Sequence, residues 1–146
     1  MRTIAIPKKS GGFREIVVPG RQRKAACREL IPKLQRLVDQ TCSDAVHGFR
    51  ELRSPITNAL PHVGFQYTLS FDLSDFFDSV KEDRHGKALG NKLTHAEWVC
   101  LWHGSEYARK SSRLVTPGRA AQGLPTSPIV ANLAAADMDR ALLTLC

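Results

Sequence analysis

The sequence has no apolar run approaching the ~20 residues that a membrane-spanning helix needs, so no membrane contact is expected. Its opening, Met1 to Pro7, is too short and too polar for the core of a secretory signal. There is no glycine repeat, no low-complexity tract and no sustained heptad, which excludes a collagen, a disordered tail and a coiled coil. Cysteine is sparse: Cys27, Cys42, Cys100 and Cys146 form no close pair and no CxxC. That argues against a zinc site or a disulfide framework and fits a reducing, cytoplasmic setting. What is left is 146 residues of ordinary globular composition, 42 % hydrophobic and 24 % charged, with room for about one domain.

The charge is uneven. The net +7 lies entirely within the first 53 residues, which hold 12 lysines and arginines against 5 acids; the remaining 93 residues hold 9 of each. Such a basic third fits a surface that grips a polyanion, and equally a solvated basic face. The second half differs in kind, with Asp72, Asp75 and Asp78 crowded among apolar and aromatic neighbours. A basic grip followed by a concentrated acidic spot suggests a metal-dependent nucleic-acid enzyme.

Arg2–Pro7 and Arg14–Pro19 read as two short strands, joined by the basic turn Lys8 to Phe13, whose Gly11 and Gly12 can take positive φ. Apolar residues from Cys27 to Val38 recur at helical spacing and predict a helix over 21–42, kinked or divided at Pro32. A loop over 43–54 precedes a helix starting at Ser54-Pro55. Alternation predicts a strand from Phe65 to Phe71, ending at Asp72, with a tight turn after it. Helices over 82–90 and 94–103, a basic serine-rich loop over 105–113, and a final helix capped by Ser127 complete the expectation. The final helix carries a stripe of Ile129, Val130, Leu133, Ala134, Met138, Ala141, Leu142 and Leu145.

Three stretches carry candidate chemistry. An aspartate at a strand end, Asp72, is placed to hold a divalent cation, although a cation site commonly needs further carboxylates. It is also a natural strand-end cap, as Asp75 and Asp78 are natural turn caps. Lys8 and Arg14 on a stiff hairpin could hold a triphosphate, or form an ordinary polar tip. In Gln122 to Pro128, Gly123 permits close backbone approach and the following helix offers free N–H groups, or the segment is a loop with a cap.

Taken together, and in this order, the blocks resemble the fingers and palm of reverse transcriptases, specifically the retron-type bacterial enzymes. The block Ile6 to Ile16 resembles the opening fingers block of that family, and Ala45 to Phe49 with Arg53-Ser54 the next one. Asn58-Ala59-Leu60-Pro61-His62 is similar to the NAxxH element of retron-type enzymes. Leu69 to Ser79 is similar to the first catalytic-aspartate block, and Gln122 to Pro128, followed by Ile129 to Leu133, to the QGxPTSP block. The resemblance implies an α+β fold, the fingers–palm part of a right-hand polymerase with an incomplete palm sheet. Residues 1–64 would be fingers and 65–146 a partial palm. It implies Mg2+ held by the Asp72 carboxylate and the Leu73 carbonyl, and Asp72 as the catalytic aspartate. Lys8, Arg14, Asp75, Phe76, Phe77 and Gln122 would bind the dNTP, with Phe77 as a steric gate against ribose. Ser127 and Pro128 would lie near the template. Asn58 and His62 would serve RNA recognition, although a packed helix-end histidine is an equal reading of His62.

The family's next block, a YxDD hairpin, has no match here; Asp137 and Asp139 lie in a helical pattern and read as polar-face or partner-contacting residues. The expectation is therefore one part of a split RNA-directed DNA polymerase, inactive alone. A second polypeptide would bring YxDD and the thumb, and a structured non-coding RNA, its cDNA and dNTPs would be the other partners. The resemblance also implies a place in phage defence. Alternatives are a non-catalytic RNA-binding or scaffolding relic, a truncated gene product, and a polymerase of untemplated or protein-primed type.

Overall fold

Two β-branched runs with a glycine-rich turn between them form the hairpin that the sequence predicts. In the computed structural model, which describes residues 2–9, 11–89, 92–102 and 118–145, β1 (Arg2–Pro7) pairs antiparallel with β2 (Phe13–Val18), Ile4 opposite Ile16. Gly11 and Gly12 sit at φ 90° and 76°, and Lys8 N–H donates to the Gly12 carbonyl at 3.0 Å. This hairpin is the only sheet among the described residues.

Next comes α1 (Arg21–Thr41), one unbroken helix of 21 residues, so Pro32 does not divide it. Pro32 is exposed, and so is Arg28, the residue four before it whose carbonyl loses its intrahelical donor to the proline ring. The opposite face of α1 buries Cys27, Leu30, Leu34, Leu37 and Val38. Ser54 caps the short α2 (Pro55–Ala59) in a reciprocal capping box with Thr57, followed by a single 3-10 turn, Leu60–His62.

The strand expected over Phe65–Phe71 does not form. Residues 65–73 belong to no strand or helix and are exposed, and no backbone hydrogen bond among the described residues involves them. Alternation specifies faces, but a strand also needs a neighbour to accept its N–H and C=O groups, and no described segment lies alongside.

After the short α3 (Phe76–Ser79), α4 (Glu82–Leu89) and α5 (His95–Leu101) occupy the two expected helical stretches, with Thr94 and Glu97 forming a capping box on α5. The loop expected over 105–113 lies outside the described residues. The last helix, α6 (Ser127–Leu143), has Thr126 and not Ser127 at its N-cap. Its apolar stripe is buried only through Ala136; Met138, Ala141, Leu142 and Leu145 are exposed.

The core lies where α1, α4, α5 and α6 meet. Leu34, Val38, Val80, Leu89, Leu101 and Trp102 are essentially inaccessible there, with Ile129, Val130 and Leu133 closing it from α6. Some of the basic charge is spent inside this framework. The Arg23 guanidinium donates to the Val99 and Trp102 carbonyls at 3.0 and 2.8 Å, satisfying the end of α5, and Lys33 pairs with Glu97. Arg50 and Arg53 pair with Asp39 and Asp44. The basic third is thus partly structural and only partly a free surface.

Candidate functional site

Three segments far apart in sequence come together beside the core. One is the hairpin β1–β2, the second the turn 72–79, the third the segment 118–128 that leads into α6. Backbone bonds fasten the third segment on both sides: Val17 N–H donates to the Gln122 carbonyl at 2.7 Å, and Ala120 N–H to the Val80 carbonyl at 3.0 Å. Val17, Ala121 and Leu124 bury one another in a small apolar cluster. Gly123 stands at φ +100°, and a Cβ placed there would lie 2.2 Å from the Val17 carbonyl oxygen. The close approach that this glycine permits is therefore to β2. Ser127, expected as a helix cap near the template, is wholly buried, and its Oγ accepts the Ala121 N–H at 3.2 Å. It holds the loop in shape, while Pro128 stays half-exposed at the rim.

Between the three segments lies a cleft of about 1070 Å³. Lys8 and Arg14 line it from the hairpin, Asp72, Leu73, Asp75, Phe76 and Phe77 from the turn, and Gln122, Ser127 and Pro128 from the third segment. Ten of the twelve residues singled out from the sequence thus share one cavity. Asn58 and His62 do not: they sit exposed on α2 and the 3-10 turn, outside the cleft. The exposure of His62 also overturns its reading as a packed histidine. Glu15, Asp78 and Arg119 line the cleft as well. Arg119 precedes the Gln122 block and has no motif of its own to mark it; only the fold reveals its place.

Backbone geometry fixes the turn. Asp75 takes the left-handed conformation, φ 48° and ψ 37°, which a short polar side chain tolerates, and starts α3. Phe76 and Phe77 meet edge to face, ring centroids 6.4 Å apart, and both pack against the main core. The Phe77 ring is therefore held in a set position at the cleft wall.

Most charges in the cleft are mutually compensated. Lys8 Nζ meets Asp75 Oδ1 at 3.1 Å, and the Arg119 guanidinium bonds both Asp78 and, at 3.1 Å, Glu15. Arg14 and Asp72 form no ion pair among the described residues, and both are exposed. One cation and one carboxylate are left available to a ligand. With four carboxylates against three cations, the lining is slightly acidic, so a polyanion entering it needs cationic company.

Among the described residues no three His, Cys, Asp or Glu side chains gather as a metal site. Asp72 offers one carboxylate, which falls short of a cation cage. Asp137 is exposed and pairs with Arg140, and Asp139 is half-buried, its carboxyl pushed upward by desolvation. Both belong to α6 and neither lines the cleft.

The model of the reverse transcriptase (RNA-dependent DNA polymerase) family matches residues 6–146. The chain belongs to the reverse transcriptase family. It is 36 % identical over 154 aligned residues to the retron Mx65 reverse transcriptase of Myxococcus xanthus, covering 98 % of this chain and 35 % of that protein. It is 33 % identical to the retron Mx162 reverse transcriptase of the same organism, over 96 % of this chain and 30 % of that one. With the retron Ec83 reverse transcriptase of Escherichia coli it shares 26 %, over 97 % and 45 %. The chain thus spans roughly a third to a half of the length of these curated relatives. The matched span is the fingers and palm part of a reverse transcriptase, and the described residues, mixed α and β with one two-stranded sheet, are consistent with an incomplete palm sheet. Family polymerases generally work with divalent metal ions. No described helix is long and apolar enough to cross a membrane.

Proposed function

We propose that the cleft is the nucleotide side of a retron-type RNA-directed DNA polymerase, with residues 1–64 as fingers and 65–146 as part of the palm. The observation that carries this reading is the meeting of ten expected residues in one cavity, with Arg14 and Asp72 forming no ion pair among the described residues. The planar Arg14 fork suits two phosphate oxygens of a dNTP. Lys8 reaches the same anion by exchanging its Asp75 partner for phosphate. Phe77, fixed against the core, stands as the wall a ribose 2′-hydroxyl would strike, and Gln122, carried on the loop anchored to β2, faces the incoming nucleotide.

Asp72, with the neighbouring Leu73 carbonyl, is this chain's contribution to a Mg2+ site, where a bound ion would offset negative charge on the phosphates. The remaining carboxylates come, in this reading, from a YxDD-bearing segment with a thumb, in a second polypeptide or in one chain with this sequence. The exposed apolar row from Phe65 to Leu73 supports such a neighbour, because it has the alternation of a palm strand and no described segment beside it. The template and primer would be a structured non-coding RNA with its cDNA, and a role in phage defence follows from the retron resemblance alone. Asn58 and His62, exposed and away from the cleft, remain available to RNA.

The test combines this chain with a YxDD- and thumb-bearing segment, primed RNA, dNTPs and Mg2+, and follows labelled cDNA. Asp72→Ala should abolish synthesis, and Phe77→Ala should raise ribonucleotide incorporation. Undiminished synthesis by Asp72→Ala would refute the reading; RNA binding by the native mixture without any synthesis, unchanged by Asp72→Ala, would favour a scaffold.

A further inference from the structure

Arg119 is the cleft residue that no motif marks, and it has the most connections. Its backbone is held by an antiparallel bridge to Lys81, flanked by bonds from Glu82 N–H to the Gly118 carbonyl and from Ala120 N–H to the Val80 carbonyl. From this fixed base its guanidinium reaches two separate elements: Nη2 donates to Glu15 on β2 at 3.1 Å, and Nη1 donates to Asp78 on α3. Glu15 and Val17, two apart on one strand, share a face. Val17 packs on Ala121 and Leu124, so one face of β2 is joined to the 119–124 segment by a polar and an apolar contact. Glu15 directly follows Arg14, and Asp78 directly follows Phe77.

We propose that Arg119 is a positioning residue for the nucleotide. It ties the fingers hairpin to the turn bearing Phe77, and it occupies two carboxylates that would otherwise face the triphosphate. This rests on the reading of the cleft as a triphosphate site. Arginine is suited to the task because its planar fork spans two acceptors at once, whereas a lysine ammonium is a single point charge. Without Arg119 the lining would hold four carboxylates against two cations. Arg119 thus acts on the ligand through Glu15 and Asp78.

The experiment measures two quantities on the 146-residue chain. The first is hydrogen exchange in residues 11–18, with residues 30–38 of α1 as the internal control for overall folding. The second is the affinity for inorganic tripolyphosphate with Mg2+. Arg119→Ala should speed exchange in the hairpin while α1 is unchanged, and should weaken tripolyphosphate binding by about tenfold. Arg119→Lys should recover part of the affinity, and adding Glu15→Gln and Asp78→Asn to Arg119→Ala should bring it back to within about threefold of the native value, because the exposed acids are gone. Failure of that rescue while Arg119→Ala weakens binding means a direct contact with the anion, which overturns the positioning role. Unchanged hairpin exchange overturns the tie. If Arg119→Ala loosens α1 as well, Glu15→Gln, which cuts one arm only, gives the same hairpin readout. Tripolyphosphate binding by neither the native chain nor Arg14→Ala, with the hairpin still loosened by Arg119→Ala, would reject the triphosphate reading and leave the tie standing.

Discussion

Residues 120–136 and residues 56–73 are both rich in apolar side chains, and the fold treats them in opposite ways. In the first stretch Ala120, Leu124, Ile129, Val130, Leu133 and Ala136 are buried, and the backbone is bonded to β2 on one side and to Val80 on the other. In the second, Phe65, Tyr67, Leu69 and Phe71 are each more than 60 % exposed. Hydrophobicity does not separate the two. The first stretch has partners for its backbone polar groups, and burial is inexpensive only when those groups are satisfied. Within the second, residues 65–73 have side chains suited to a sheet face and no described neighbour to make the sheet.

The largest effects should therefore come from the side with partners. Leu34 is completely buried where α1 meets the other helices. Leu34→Ala removes its methyl groups and leaves a cavity that the packed helices fill only in part, at a cost of about 2–5 kcal/mol. Urea unfolding monitored by circular dichroism measures this. A midpoint within error of the native chain would mean that this core is not the one that holds the fold.

Gly123→Ala ranks next, at roughly 2–4 kcal/mol from a strained positive φ together with overpacking. Here the obstacle is the Val17 carbonyl, part of a paired strand, and it cannot move aside as a flexible side chain would. The hairpin should loosen before the helices do, so hydrogen exchange at Val17 should rise more than exchange in α1. Uniform loosening would mean that the contact between Gly123 and β2 is incidental to the hairpin's position.

The sequence reveals the parts of this molecule in which a local signal and a tertiary partner agree. The glycine turn of the hairpin, the capping pair Ser54-Pro55 and the helical periodicity of α1 all act within a few residues and appear where expected. The site was legible as a set of blocks, because each block marks its own residues. Their mutual position was not, and neither was Arg119, whose importance comes from two carboxylates 104 and 41 residues away. The misread features share a cause. Ser127 has the composition of a helix cap, but the chain turns back so that Ala121 claims its hydroxyl. The stretch 65–71 has the alternation of a strand, but pairing is a property of two segments, and a single sequence pattern describes one.

A smaller effect lies where the basic third meets the helices. Glu97 accepts two bonds from Lys33 Nζ, at 2.9 and 2.8 Å, and one from the Thr94 N–H, and these hold its carboxyl below the ordinary value. A carboxyl whose folded-state pKa is depressed adds stability above its unfolded value, near 4.5, and that contribution is lost as the pH falls through the folded value. Glu97→Gln should cost about 0.5–1 kcal/mol at pH 7, and the difference from the native chain should shrink on acidification below the unfolded value. Thermal melts at pH 7 and pH 3 measure it. An equal loss at both values would assign the effect to packing and remove the charge from the explanation.

The smallest effect on this chain's stability should come from the exposed side. Tyr67→Ser and Leu69→Ser alter side chains 84 % and 86 % exposed, which lose almost no burial, so each should change the unfolding free energy by less than about 0.5 kcal/mol. Solubility should improve, since an apolar row whose N–H and C=O groups have no backbone partner among the described residues invites association of copies. The same pair of substitutions should act differently once a YxDD-bearing segment is supplied. If residues 65–71 become a paired palm strand in that assembly, their side chains acquire a face to bury, and the double variant should assemble more weakly and make less cDNA. A variant that is neutral alone and neutral in the assembled enzyme would show that the alternation in this stretch has no sheet to serve. A variant that is neutral alone and damaging in the assembly would show that residues 65–73 differ from residues 120–136 only in lacking, within the described fold, the neighbour that the others already have.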